Sequence, residues 1–522
     1  MNTETKKHRA MEDNFDFRDL FVFDLANNHQ GSVSHALDII KETGAVAKKN
    51  GIRGVFKFQF RQLDTFIHPA HRKKSENKHI PRFLSTRLER EDFRKLLAAV
   101  RSEGMLAMCT PFDEESVDVI TEMGFDLIKV ASCSAKDWPL LQQVAESGLP
   151  VIFSTGGLTL SNIDDLVSFF THQGCDFAMM HCVSLYPIPA DKFQLDQIAV
   201  LSNRYRDRVI GWSTHEKPDE TVPIQIAVAK GARMFERHVG IQTQEIKLNS
   251  YSSTPTQLDT WIAAYKYART LSGSTERTCD QEEVASLDSL RRGVFAKEQI
   301  KAGQPIDRNS VYFAMPFQDG QLDSGHWKEG IIAQADVEVD QPLLLLGIEQ
   351  PKEPDYNVIK GAVHDVKALL NEARITLNSE FAVEYSHHYG FRKFREYGVV
   401  MINCINREYC KKILVQLPGQ KHPPHYHKLK EETFQVVYGE LHVSADGRVR
   451  TLNAGDTFLV LPGVWHSFWT DTGAVFEEIS TTHYSNDSVY KDKAIQSLKT
   501  SERKTVVDHW GRFQIPAKVG QK

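Results

Sequence analysis

The residues best suited to chemistry in this sequence fall into two sets. The first is scattered: Asp24 ahead of Asn27-Asn28-His29, Lys57 inside FKFQ, Thr110 opening TPFD, Lys129 and Ser132 in KVAS, and Ser154 and Thr155 in STGG. It continues with His181, Ser184 and Tyr186 in MMHCVSLYP, Ser213 and His215 in WSTH, and Glu236 and His238 in FERH. Two lysines, several hydroxyls and a Gly-rich turn are the donors that a small phosphorylated acid needs, point charge from lysine and directed N–H and O–H bonds from the rest. His215 and His238 could share one divalent metal and leave positions open for substrate and water. The second set is compact. His425 and His427 precede Glu432, and His466 follows in a second segment. Alternate residues on a strand face one side, so HxH points both rings the same way, and three histidines with one carboxylate suit a divalent ion.

The scattered set has a common address. Apolar runs of strand length occur at 20–25, 55–60, 105–110, 127–131, 151–154, 177–182, 209–213 and 234–238. Segments of helical length and period separate them, among them 33–49, 90–103, 116–123 and 163–171. Eight strands alternating with helices predict a (β/α)8 TIM barrel, whose sites gather at the C-terminal strand ends, where these polar residues stand. A doubly wound open sheet is the alternative, but no GxGxxG follows any strand. Beyond the barrel, 273–283 reads as a polar linker, 284–348 as a small mostly-β module and 349–356 as a second linker. A helix is expected at 358–372, and an all-β barrel at 376–500. The tail after Ser497 is charged and reads as peripheral.

The length of 522 residues supports three or four domains at roughly 150 residues each. With 41% hydrophobic and 25% charged residues the chain is neither disordered nor fibrous. A net charge of -5 gives no reason to expect nucleic-acid binding. The seven cysteines lack CxxC spacing and read as reduced thiols. The N-terminus has no apolar core of a signal peptide, and no apolar run approaches membrane-spanning length. No membrane partner and a cytoplasmic location are the expectations.

The ordered series NNHQG, KFQ, CTPFDEESVD, KVAS, STGG, HCVSLYP, GWSTH and FERH resembles the sialic acid (N-acetylneuraminate) synthases over residues 18–275. RRGVFAKEQIKAGQPIDRNSVYF resembles the small antifreeze-like (SAF) domain attached to them. The resemblance implies a metal-assisted, aldol-type condensation of phosphoenolpyruvate with an aldose, giving a 3-deoxy-2-ulosonic acid and phosphate. It implies phosphoenolpyruvate contacts from Lys57, Thr110, Lys129, Ser132, Ser154 and Ser213, with Ser184 and Tyr186 also on the substrate. Mn2+ or Mg2+ would sit on His215 and His238, and Asp24, in the place of a family glutamate, would act in catalysis with Glu236. It also implies a domain-swapped homodimer, the SAF domain of one subunit over the barrel mouth of the other. Three departures stand out: Ser134, Leu248-Asn249 and Met315 occupy positions where the family carries a Glu, an Asp-His and an Arg. They point to an acceptor other than N-acetylmannosamine.

G-x5-HxH-x4-E-x6-G across Gly419–Gly439, followed by Gly455…Gly463-x2-His466, resembles the two cupin motifs. His425, His427, Glu432 and His466 are the implied ligands of a second divalent metal whose identity the motif leaves open. The flanking residues resemble the D-lyxose-type sugar isomerases. Of Glu477 and Glu478, both carboxylates suited to proton transfer, one on a strand must face away from the interior. The alternative function is therefore a metal-dependent aldose–ketose isomerase or sugar-binding protein with a vestigial barrel.

Overall fold

A computed structural model describes residues 14–275, 277–352, 355–377 and 381–508. Two compact units divide the chain, Met1–Thr278 and Cys279–Lys522. In the first, eight strands alternate with helices: β1 (Leu20–Asp24), β2 (Arg53–Phe60), β3 (Leu106–Pro111), β4 (Leu127–Val130), β5 (Val151–Ser154), β6 (Phe177–Cys182), β7 (Ile210–Thr214) and β8 (Met234–His238). They pair in parallel in chain order, and β1 pairs with both β2 and β8, which closes a barrel and excludes the open sheet.

The alternation of a strand's side chains explains how this barrel both folds and presents chemistry. Phe21, Phe23, Phe56, Phe58, Phe153 and Phe235 point outward and pack against helix residues such as Ile39, Leu96 and Trp261. Leu20, Val22, Val55, Met108, Leu127, Ile152, Ala178, Met180 and Met234 point inward and fill the barrel floor. Two residues further along each strand, on the same inward face, come Asp24, Lys57, Thr110, Lys129, Ser154, Cys182 and Glu236. The polar site thus rests on an apolar plug and inherits its orientation from it. The helices that hold the outer layer are capped by their own sequence. Thr254 accepts from Gln257 N–H while the Gln257 side chain binds back to Thr254, with Pro255 at the first helical position.

In the second unit a helix, Gln281–Asp288, occupies the end of the expected linker and the start of the expected β module. Two antiparallel pairs follow, Gly293–Ala296 with Val311–Ala314 and Ile332–Ala333 with Ile348–Glu349, around Val294, Ile300, Leu322, Ile331 and Leu343. The helix Asp355–Glu372 leads into a curled eleven-stranded antiparallel sheet. Its last strand, Lys504–Asp508, pairs with Ala382–Ser386. The tail after Ser497 is therefore not wholly peripheral; its TVV run is too short to stand out among charges but is enough to extend the sheet. The rest of that tail, 509–522, lies outside the described residues. All seven cysteines are unpaired, in keeping with the sparse spacing.

Candidate active site and metal centre

Register sets the neighbours at the barrel mouth. Asp24 lies opposite Lys57 on β2 and opposite His238 on β8, and Ser213 lies opposite Glu236. The result is a buried charge network. Lys57 Nζ sits 2.9 Å from Asp24 Oδ2 and 2.9 Å from Glu236 Oε1, and Lys129 Nζ sits 2.9 Å from Glu236 Oε2. Lys129 also donates to Ser154 Oγ at 2.6 Å, and Ser213 Oγ donates to Glu236 at 3.1 Å. Two ammonium and two carboxylate groups cancel, which is how so much charge is tolerated out of water. Burial alone would strip the Lys57 proton, but Asp24 and Glu236 more than offset it and hold its pKa above the lysine norm. Lys129, with Glu236 alone beside it, is held below the norm by burial. For Glu236, burial is outweighed by the two lysines, and its carboxyl stays well below the usual range.

The two barrel histidines face each other with ring centroids 5.3 Å apart, and Tyr186 lies 4.1 Å from His215. His215 Nδ1 donates to the Val183 carbonyl at 3.2 Å, which leaves Nε2 bare. His238 Nδ1 is buried with no hydrogen-bond partner, and its Nε2 lies 3.4 Å from Asp24. Burial pulls both rings below their ordinary value, His215 to about 3, so both keep a free lone pair at neutral pH. Two neutral imidazoles, with Asp24 beside His238, are donors that a divalent ion could use, although among the described residues three or more such donors cluster in the second unit rather than here.

All twelve site residues expected in the barrel (Asp24, Lys57, Thr110, Lys129, Ser132, Ser154, Ser184, Tyr186, Ser213, His215, Glu236 and His238) line one cavity of about 950 Å³. Thr110 Oγ1 is buried there without a partner. Gly156 N–H donates to Ser132 Oγ at 3.0 Å, and a Cβ on Gly156 would meet the hydroxyls of Ser132 and Ser184 at 2.7 and 2.4 Å. Only glycine lets those two hydroxyls converge on that turn. Other strand-end residues do structural work instead. Asn28 bonds Val239 and Ser252, Thr155 bonds Met180 O, and His181 bonds Phe193 O. Among the departures, Asn249 bonds Asn28 and the backbone of Tyr251 and Ser252, Leu248 crowds Gly240, and Ser134 is buried in a short turn. Met315 is half-exposed in the β module.

The sequence reading missed the connection after β2. Arg61, His68, His71, Lys78, His79 and Arg82 from that segment line the same cavity. Its basic composition, RQLDTFIHPAHRKKSENKHIPRF, was the available signal.

In the second unit the strand Lys421–His427 places His425 and His427 together, and Glu432 and His466 open their own strands beside it. One ligand atom from each of the four lies within 4.8 Å of the others, all buried. Nδ1 of His425 donates to Pro423 O, and Nδ1 of His466 donates to Val464 O. His466 Nε2 faces Glu432 Oε1 at 2.8 Å, with both atoms buried. Three imidazoles and a carboxylate gathered this closely and buried form a donor set that fits a divalent metal. Glu478 faces inward, where Lys430 reaches it at 2.8 Å while also contacting Glu432. Glu477 faces the other way and pairs with Lys411 at 2.8 Å. The adjoining cavity is about 30 Å³, the volume of one water.

Residues 45–277 match the NeuB family and residues 413–479 match the cupin domain. The chain is 30% identical over 291 residues to the uncharacterized protein MJ1065 of Methanocaldococcus jannaschii, covering 55% of this chain and 82% of that one. It is 30% identical over 230 residues to the N-acetylneuraminate-9-phosphate synthase of Drosophila melanogaster, covering 42% of this chain and 59% of that one. A crystal structure named for spore coat polysaccharide biosynthesis protein E of Chromobacterium violaceum is 42% identical, with a TM-score of 0.61, covering 64% of this chain and 100% of that one.

Proposed function

The chain belongs to the NeuB family, and from that premise we propose that its barrel condenses phosphoenolpyruvate with an aldose to give a sialic-acid-like 3-deoxy-2-ulosonic acid and phosphate. The observation that carries this reading is the single cavity in which both lysines, the hydroxyls and both histidines meet. Lys57 and Lys129 hold the charged acid, and Thr110, Ser132, Ser154 and Ser213 direct hydrogen bonds to it. Ser184 and Tyr186 complete the substrate wall. Glu236 keeps the two ammonium groups fixed between substrate visits. His215 and His238 would hold a divalent ion, Mn2+ or Mg2+, which when bound would supply Lewis-acid polarisation of the sugar aldehyde. C3 of phosphoenolpyruvate forms the new C–C bond, and positive charge develops at C2. Water adds at C2, and phosphate leaves with the bridging oxygen as the C2–O bond breaks. Asp24, between Lys57 and His238, is positioned to stabilise that charge and hold the water.

The working assembly is a domain-swapped homodimer in which the β module of one subunit covers the barrel of the other. The setting is cytoplasmic biosynthesis; no helix of the described residues is long and apolar enough to cross a membrane. The second reading, a metal-dependent sugar isomerase or sugar-binding module in the cupin, is favoured by the four-donor cluster and the inward Glu478. The adjoining cavity, about 30 Å³ against about 950 Å³ in the barrel, makes it the lesser activity.

The test is phosphate release from phosphoenolpyruvate across a panel of aldoses with Mn2+. Turnover with at least one aldose, lost in Lys57→Met and His238→Ala, is the expected result. No release with any aldose, alongside aldose–ketose interconversion, would transfer the principal activity to the cupin.

A further inference from the structure

β7 and β8 lead to the two barrel histidines, but the ladder between them does not reach those residues. Pairing runs from Gly211 opposite Met234 to Thr214 opposite Arg237 and stops one residue short of His215 and His238. Beyond that point the two histidines are held from opposite sides. The His215 ring donates to Val183 O, and its carbonyl accepts from Ile188 N–H, both on the connection after β6. His238 is held from β1, where Asp24 lies opposite it and accepts Val239 N–H through its carbonyl. Arg237 spans the seam left between them. Its Nη1 meets Glu216 Oε1 at 2.5 Å and its Nη2 donates to Lys217 O at 3.3 Å, on the two residues that follow His215. Its Nε donates to Ser253 Oγ, and Ser253 N–H donates to His238 O at 2.9 Å. One guanidinium thus ties the chain just after His215 to the chain on both sides of His238.

Stability does not explain this arrangement. Arg237 points outward, into a layer filled by apolar side chains such as Trp212, Phe235 and Trp261, and both it and Glu216 are 1% exposed. The guanidinium lies 5.1 Å from the Trp261 ring, and Asp219 and Glu220 add weaker attraction from further off. Glu216 Oε2 is buried with no hydrogen-bond partner. A buried ion pair with one oxygen left bare is often no more stable than well-packed apolar side chains of the same volume. What apolar side chains cannot do is fix direction, whereas a planar fork sets its partners by angle as well as by distance. We propose that the Arg237–Glu216 pair is a positioning device, which closes the β7–β8 seam and sets the spacing of His215 and His238 for the ion and the sugar aldehyde. This inference rests on the condensation reading and adds to it two residues that do not line the cavity.

The experiment replaces both partners together, Glu216→Met with Arg237→Met, in the full-length chain, and sets beside it Arg237→Lys, which keeps the charge and loses the fork. The readouts are thermal melting, phosphate release with the best aldose, and Mn2+ titration by electron paramagnetic resonance. For the titration His466→Ala is added to every chain, so that the cupin ion does not report. The double variant is expected to melt no lower than wild type, because both charges leave the interior together. Its Mn2+ affinity at the barrel falls tenfold or more and its kcat tenfold or more, while the KM of phosphoenolpyruvate changes less than threefold. Arg237→Lys shows the same losses in smaller measure. Unchanged Mn2+ affinity in either variant overturns the proposal, and so does a loss confined to the KM of phosphoenolpyruvate. A double variant that melts well below wild type also overturns it, since the pair then serves stability. If no aldose releases phosphate even from wild type, the condensation reading itself fails. The Mn2+ titration then still decides the seam: tenfold weakening supports it, and unchanged binding, or no barrel ion in wild type, overturns it.

Discussion

Lys129 and Glu236 form a fully buried ion pair at 2.9 Å, and the carboxylate extends its other oxygen to Lys57 at the same distance. Burial lowers the Lys129 pKa, Glu236 opposes that shift and Lys57 adds to it. On the proposed reading the ammonium form is the one that binds phosphoenolpyruvate, so affinity is expected to be complete below the Lys129 pKa and to fade as pH rises through it.

Glu236→Gln removes the one anion beside Lys129 and moves that alkaline limb to lower pH. The expected outcome is a KM for phosphoenolpyruvate raised tenfold or more at pH 8, with a smaller change at pH 6. Phosphate-release kinetics between pH 6 and 9 read it, and an unshifted limb counts against the pairing. Leaving two buried ammonium groups with one carboxylate also costs about 3 kcal/mol of stability, visible in urea unfolding.

Asp24→Asn keeps the shape of the side chain and removes its charge. If Asp24 stabilises the developing cation and holds the water, kcat falls about 100- to 1,000-fold while the KM of phosphoenolpyruvate changes little. A KM-only effect would reassign Asp24 to holding Lys57.

His466→Ala and His425→Ala are expected to lose one bound divalent ion per chain by elemental analysis, with barrel phosphate release kept within about twofold of wild type. Separate failure of the cupin in acid is also expected. His388 is held at about 3 and His483 at about 4, in both cases by burial first and then by neighbouring Lys504 or Lys412. An unfolded histidine gains its proton below about pH 6.5, whereas these do not while folded. Stability from this source is therefore intact above pH 6.5 and falls as the pH drops, by about 1.4 kcal/mol per group for each unit. Thermal melts of the full chain between pH 4 and 7 check the direction.

N-acetylmannosamine should be a poor acceptor. By the resemblance to the sialic acid synthases, Leu248 and Asn249 stand where an acid and a histidine are expected, Ser134 where a glutamate is, and Met315 where an arginine is. Each lost polar match worth about 1.4 kcal/mol costs tenfold in kcat/KM, so a deficit of two to three orders of magnitude against the best aldose is expected. Equal efficiency in steady-state kinetics would refute it.

A homodimer is expected in sedimentation at micromolar concentration. Leu346 is fully exposed, and Leu344 and Leu345 are about half exposed, on the β module. Such a run is costly in water unless covered. Leu346→Asp should shift the sedimentation coefficient toward the monomer if that run is part of the contact.

Much of this was legible in one dimension because strand periodicity is local. The inward positions 20, 22 and 24, or 234, 236 and 238, follow from alternation alone, and so does the shared direction of His425 and His427. Alternation likewise required that Glu477 and Glu478 part company. Which of the two turns inward is decided by packing, since Glu478 meets Lys430 only once the sheet has curled. Likewise, no spacing between residues 57, 129 and 236 reveals that two lysines share one carboxylate; that depends on barrel closure and on the register of β8 against β7 and β1. The wall formed by Arg61 and Arg82 was least legible of all. Its segment has no period, so its path is set by tertiary contacts such as the stacking of Arg61 between Phe83 and Phe112. Local geometry is written in residue spacing, whereas the pairing of distant charges is an energetic outcome of desolvation that exists only when the fold brings them together.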